Sequence, residues 1–382
     1  MKFCKKCVIP ETAETHTFNA RGVCSVCNNI KLKKKIDWKK REIELDLIIK
    51  KYKEKYEYDC IIPFSGGKDS TFALWYLVKK KKVKPLVVRF DHNFLRKNVE
   101  ENTQRSLNIL GVDFINYKPN FNIVKKMMME SLLRRGDFCW HCHVGIHAFP
   151  MNTAIKRNIP LLFYGEPSSE YSSFYSYNDI EEVDVEKFNK ATNLGINAED
   201  MLEMLNERYP KDKISKKDIE NYIFPSQRKI NTHKVKGVYL GNYIPWDVKE
   251  QVKIIKSELG WKGDIVEGIP SEYDYEKIEC IMQGVRDYIK YLKRGFGRTS
   301  HLTSIDIRNN RITRKKALDL VKMHDGKRPK ALDIFLKILK ISEDEFYDIV
   351  ASHVVAPHSM PNKEKLKINT SNVAPGDIQD WI

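Results

Sequence analysis
Short apolar runs and segments of helical period alternate through the middle of the chain. Residues 60–64, 86–91, 114–117, 160–164 and 238–241 are brief and apolar, and each reads as a buried strand. Residues 71–78 and 99–110 carry a helix-like pattern between them. Strand and helix in alternation predict an α/β fold, a parallel sheet flanked by helices. In open sheets of that kind ligands lie beyond the carboxyl ends of the strands. That rule gathers residues 65–70, Arg89, Phe90, Asp91, Gly165, Glu166 and Gly241 around one crevice.

The flanking segments change character. Residues 31–57 are rich in Lys and Glu with Ile36, Trp38, Ile43, Leu45, Leu47 and Ile48 interspersed, a connecting helix. Residues 167–230 break the alternation with Ser, Tyr, Asn, Asp and Glu and read as an insertion, helical in parts such as 198–207. Beyond Gly268 amphipathic stretches at 275–293, 314–324 and 330–339 predict a helical region, and the polar 360–382 a surface extension. The expected layout is therefore 1–30, a small metal-bound piece; 31–57, a linker helix; 58–268, the α/β domain with its insertion; 269–359, a helical region; and 360–382, a tail.

At 382 residues the chain has room for a large core plus appendages. No apolar run approaches the roughly 20 residues needed to cross a bilayer, which excludes a helical membrane protein. Met1 to Cys7 contain no apolar signal region, so a cytoplasmic location is expected. Lys and Arg outnumber Asp and Glu by 67 to 51, a net charge of +16. Such a balance suits a nucleic-acid partner or an anionic substrate, and lysines scattered in runs such as 33–35 and 79–82 are weak evidence for the former.

Four of the eight cysteines form two C-x-x-C pairs, Cys4 with Cys7 and Cys24 with Cys27. Sixteen residues separate the pairs, a zinc-ribbon spacing. Four thiolates close a tetrahedral Zn²⁺ site with no open position, so the metal is structural. It supplies folding energy to a piece too small to bury a core.

The sharpest local signal is Ser65-Gly66-Gly67-Lys68-Asp69-Ser70, between the first strand and the first helix. Two glycines let backbone approach a phosphate, and a helix start offers free N–H groups and a positive dipole end. Ser65 and Ser70 add hydroxyl donors, Lys68 a point charge, and Asp69 an oxygen for Mg²⁺. The spacing is not that of a Walker A loop. The string instead resembles the PP-loop of ATP pyrophosphatases, enzymes that cleave ATP to AMP and pyrophosphate, with an adenine nucleotide alpha hydrolase-like fold. That resemblance implies ATP as the bound nucleotide, Ser65, Lys68 and Asp69 as catalytic groups, and Arg89 to Asp91 near adenosine.

A second cysteine set is Cys139 and Cys142 in Phe-Cys-Trp-His-Cys-His, with Cys280 far along the chain. Three thiolates on one site would suit an iron–sulfur cluster with one iron open, or a zinc with an open position. The plain alternative is a structural turn and an inert cysteine. His141 and His143 are candidate ligands or acid–base groups by the same token. Cys60, in the first strand, reads as a small core residue.

Beyond these pieces the chain resembles the N-acetyl sugar amidotransferases. The resemblance rests on Phe-Cys-Lys-Lys-Cys-Val-Ile-Pro at the start, the loop, Cys-Trp-His-Cys-His-Val-Gly-Ile and Leu-Phe-Tyr-Gly-Glu. It continues through residues 277–280 to 284–288, Lys-Arg-Gly-Phe-Gly-Arg at 293–298, and Asp-Gly-Lys-Arg-Pro at 325–329. It implies work in pseudaminic acid, legionaminic acid or O-antigen sugar pathways, which serve flagellin glycosylation and lipopolysaccharide. There an acetamido group becomes an acetamidino group at the expense of ATP. Arg286, Lys293, Arg294 and Arg298 are then candidate sugar-binding cations, with solvated helix charges as the alternative. No segment resembles a glutaminase, so ammonia is expected from a separate class I glutaminase subunit or from free ammonium.

The competing expectation is a PP-loop enzyme that thiolates tRNA, for which the ribbon, the charge and a [4Fe-4S] cluster on Cys139, Cys142 and Cys280 would speak. Tight, strongly salt-dependent RNA binding would distinguish it.

Overall fold
Six strands form one sheet in the order β3-β2-β1-β4-β6-β5. The strands are Cys60–Pro63 (β1), Pro85–Phe90 (β2), Asp113–Tyr117 (β3), Leu161–Tyr164 (β4), Glu182–Val183 (β5) and Lys236–Tyr239 (β6). All neighbours pair in parallel except β5, which runs antiparallel to β6 at the edge. The structure, a computed structural model, describes residues 1–371 apart from 171 and 173. The surface extension expected over 360–382 therefore lies outside the described residues from 372 onward.

The five parallel strands overlap the predicted apolar runs, with two differences: β3, at the sheet edge, has no buried residue, and β6 starts at Lys236 and gives way to a 3-10 turn at Leu240. Strands covered on both faces need continuous apolar sequence, and every side chain of β2 is buried. The helix Trp140–Arg157 (α6) covers one face. Its Met151 and Ala154 meet Ile61, Leu86, Val88 and Leu162 in one apolar cluster. Gly145 lets α6 lie down on β2, since a Cβ there would come 2.3 Å from the Phe90 ring.

Three elements differ from expectation. β5 is only two residues long and lies in the stretch read as an insertion, too short for a periodic signal. The amphipathic stretch 275–293 is helical only from Gln283 to Arg294; Lys277 takes φ +52°, which turns the chain before the helix begins. The segment 31–57 is broken between the helices Ser25–Lys33 and Trp38–Tyr52, and Asp37 starts the second by accepting a bond from Lys40 N at 3.1 Å.

The chain divides into two compact units. The sheet unit comprises Asp37–Pro167 and Glu181–Lys262. The other comprises Met1–Ile36, Ser168–Ile180 and the chain from Gly263 onward. In this second unit the cysteine-bearing start is joined to the helices of the carboxyl-terminal region. Cys4, Cys7, Ile9, Ala13, Cys24, Val26 and Cys27 form one buried cluster with Phe296. Arg314 Nε donates to the Cys7 carbonyl at 3.1 Å, and Thr12 Oγ1 to that of Arg294 at 2.5 Å.

Candidate functional site
The glycine-rich loop leaves β1 and enters the helix Lys68–Trp75 (α3). Gly66 takes φ +83°, and a Cβ there would meet Thr103 Oγ1 at 2.6 Å and Val99 Cγ1 at 2.8 Å, so no other residue fits. Trp261 Nε1 holds the Gly66 carbonyl at 3.1 Å. Ser65 Oγ accepts from Gly67 N at 3.2 Å, while Ser70 Oγ accepts from Ser65 N at 3.2 Å and donates to the Gly67 carbonyl at 3.2 Å. Among the described residues no side-chain hydrogen bond caps α3, whose Ncap is Gly67.

Lys68 is buried, with Nζ 2.8 Å from Asp69 Oδ2. Asp69 Oδ1 is also buried and has no hydrogen-bond partner among the described residues. A carboxylate oxygen with unused lone pairs, beside a helix start that attracts anions, suits a divalent cation accompanying a phosphate. The exit of β4 presses against this point. A Cβ on Gly165 would come 2.9 Å from the Asp69 carbonyl oxygen.

The other loop ends lie along the same carboxyl edge, because β2, β1, β4 and β6 are parallel neighbours. At the end of β2, Arg89 is buried and occupied: Nε donates to Asn116 at 2.9 Å and Nη2 to Glu100 at 3.0 Å. Phe90 lies in the core against Gly145. Asp91 is buried, its N–H bound to the Tyr117 carbonyl at 2.8 Å and its Oδ1 to Asn93 N at 2.8 Å. Gly241 N reaches the Gly165 carbonyl at 3.2 Å, and Glu166 is half-buried beside it.

Helix α6 feeds the start of β4, so its amino end returns to this carboxyl edge. That end carries Cys139, buried, and Cys142, half-buried. His141 is buried between them in sequence, edge-on to Phe94 with ring centroids 6.3 Å apart. Burial pulls His141 down to about 3 and His92, on the loop after β2, to about 4. Both are neutral imidazoles at physiological pH. Cys60 is fully buried, and burial raises its thiol well above the usual range. It is the core residue its position predicts.

Cys280 belongs to the other unit, half-buried in the turn ahead of the Gln283–Arg294 helix. Two of the four predicted sugar-binding cations in that unit are committed to protein. Arg294 donates to the Thr12 carbonyl at 2.6 Å and pairs with Glu14 at 2.7 Å. Arg298 is buried, 3.1 Å from Asp287 and 3.7 Å from Glu276. Arg286 and Lys293 are half-buried on the Gln283–Arg294 helix.

Cys4, Cys7, Cys24 and Cys27 converge with their sulfurs within 4.8 Å of one another, all buried. Among the described residues no other trio of histidine, cysteine or acidic side chains converges this closely. Backbone N–H groups point at the sulfurs: Cys24 N to Cys4 Sγ at 3.2 Å and Cys27 N to Cys24 Sγ at 3.4 Å. Four buried thiols with N–H donors around them fit a tetrahedral, closed Zn²⁺ site.

Two features escape sequence reading. Lys187, in the stretch read as an insertion, forms a buried pair with Glu181, its ammonium 3.7 Å from the Tyr239 ring centroid; burial brings it down to about 7. Asp325 of the Asp-Gly-Lys-Arg-Pro string accepts from Gly297 N, Thr299 N, Ser300 N and Ser300 Oγ, at 2.8, 3.0, 3.2 and 2.6 Å. It thereby caps the helix Arg298–Arg308. Asp325 has no local sequence signature because its partners lie 25 to 28 residues away, and the Lys187 pair is hidden because its burial against Tyr239 is set by a strand 52 residues further on.

Residues 267–372 match the family model for the C-terminal domain of LPS biosynthesis protein WbpG-like proteins. An uncharacterized protein of Methanocaldococcus jannaschii, MJ1599, is 29% identical over 142 residues, 36% of this chain. The match spans 50% of that relative's length. Among solved structures, the U34-tRNA thiolase NcsA from Methanococcus maripaludis, with its [4Fe-4S] cluster, aligns over 96% of this chain and 95% of its own. The TM-score is 0.30 at 12% identity, too low to establish a shared fold. The firmest of these similarities is therefore that of the carboxyl-terminal region to a lipopolysaccharide-biosynthesis domain.

Proposed function
We propose that the chain is an ATP-dependent amidotransferase acting on an N-acetylated sugar, a nonulosonic acid or an O-antigen sugar. The observation that carries the ATP half is the uncapped start of α3 with the buried, unpartnered oxygen of Asp69 beside it. The match of residues 267–372 to a lipopolysaccharide-biosynthesis model supports the sugar half.

An amide carbonyl is a poor electrophile because its oxygen is a poor leaving group. The acetamido oxygen attacks the α-phosphorus of ATP, and the bond to the pyrophosphate oxygen breaks. Ammonia then adds to the activated carbon, the carbon–oxygen bond breaks, AMP leaves with that oxygen, and a proton is lost to give the acetamidino group. Lys68 and the N–H groups at the start of α3 would stabilise the charge that develops on pyrophosphate, the form of assistance with the largest effect in such transfers. Asp69 would hold Mg²⁺, which neutralises phosphate charge when bound. Cys4, Cys7, Cys24 and Cys27 would hold a structural Zn²⁺.

The test is isotopic. Sugar labelled with ¹⁸O in the acetamido group, incubated with ATP and ammonium, is expected to deliver the label to AMP. AMP formed without label would reject adenylation of the acetamido oxygen. A second reading, tRNA thiolation, draws on the net charge of +16 and the Cys139–Cys142 pair. It predicts pyrophosphate release stimulated by tRNA rather than by acetamido sugars.

A further inference from the structure
Lys290 lies on the Gln283–Arg294 helix, one turn after Arg286. It is half-buried, with its ammonium 4.2 Å above the Phe296 ring centroid. Among the described residues no carboxylate forms an ion pair with it, because the nearby acids are taken. Asp287 holds Arg298 and Gln283, Glu276 holds Arg298, and Glu14 holds Arg294. Burial, then the charge of Arg298, lowers Lys290 to about 8, and burial and Lys290 together push His301 well below its usual range. A desolvated cation facing other cations is costly unless something negative completes it.

The following helix does not supply an alternative anion site, since Asp325 already occupies its start. The basic side chains are also recessed. Residues 283–285 and 287–289 are buried around Arg286 and Lys290, as are 298–300 and 302–304 around His301. A polymer's phosphates need an exposed basic face; a recessed one admits a small acid.

We infer that Lys290, with Arg286 and His301 beside it, binds the anionic group, carboxylate or phosphate, of a small sugar acid or sugar nucleotide. The inference rests on the proposed reaction only in expecting that anion on a sugar. It re-sorts the basic residues of this region: Arg294 and Arg298 brace the protein, and Lys290 receives the ligand.

Binding of uridine diphosphate and of N-acetylneuraminate to the full chain at pH 7 would be measured by calorimetry, for the wild type, Lys290→Met and Lys290→Arg. One of the two probes is expected to bind the wild type, with affinity falling about tenfold or more in Lys290→Met and largely restored in Lys290→Arg. Preference for the diphosphate or the carboxylate identifies the anion. A second measurement needs no substitution: acetylation of Lys290 by limiting acetic anhydride, read by mass spectrometry, should slow when the probe is added. Lys315 and Lys316, both exposed, are the controls. Equal affinity in Lys290→Met, absence of protection, or protection by short RNA alone would overturn the inference. These readouts do not involve ATP, so they stand or fall apart from the isotope experiment.

Discussion
At the scale of single residues, Asp69 and His141 show how burial turns an ordinary side chain into a chemical statement. Asp69 shares one oxygen with Lys68 and leaves the other buried and bare. Asp69→Ala is expected to lower pyrophosphate release at least about a hundredfold while leaving the melting temperature near that of wild type. Persistent release would remove the loop from the reaction. His141 bears on acid stability. The unfolded chain takes up its proton below about 6.5, whereas the folded site refuses it until about 3. Stability present at neutral pH is therefore lost as pH falls through that window, at about 1.4 kcal/mol per pH unit. His141→Phe keeps the volume and removes the proton, so its melting temperature should fall less between pH 7 and 5 than that of wild type. An identical fall in both proteins would mean that His141 is not held neutral.

At the scale of elements, two devices organise the unit that holds the four clustered cysteines. The four-cysteine cluster shares its buried surface with Phe296, so metal loss should disturb more than the first residues. Chelation, or Cys4→Ser, is expected to lose one zinc per chain and lower the melting temperature, while an unchanged melt would argue against a structural metal. The Asp325 cap is the second. Asp325→Ala strands three backbone N–H groups and a hydroxyl at a buried helix start, and a destabilisation of about 3 kcal/mol or more is expected in denaturant unfolding. The Asp-Gly-Lys-Arg-Pro string thus acts structurally at its first residue. Arg328 does so as well, pairing with Glu343 at 2.8 Å and Asp333 at 2.6 Å.

At the scale of the whole molecule, the net charge of +16 poses the question of partner. For a sugar enzyme, tRNA binding should be weak, and whatever is observed should vanish between about 50 and 200 mM salt. Tight binding that persists would favour the thiolase reading.

The parallel strands and the glycine-rich turn were legible in the sequence because their causes are local. A strand buried on both faces must be apolar throughout, and a left-handed backbone pressed against Thr103 and Val99 must be glycine. The two C-x-x-C pairs were legible for the same reason, since thiolate spacing is written in the chain. β5 was not, having only two residues, and α6 was obscured by Gly145 and Pro150 within it. What only the tertiary structure decided is which charges are already spent. Arg294 meets Glu14 across 280 residues of chain, and Asp325 meets the start of a helix 25 to 28 residues before it. No pattern along the sequence records such encounters. Packing sets them, and among the described residues packing leaves Lys290 without a carboxylate and Asp69 with an oxygen to offer.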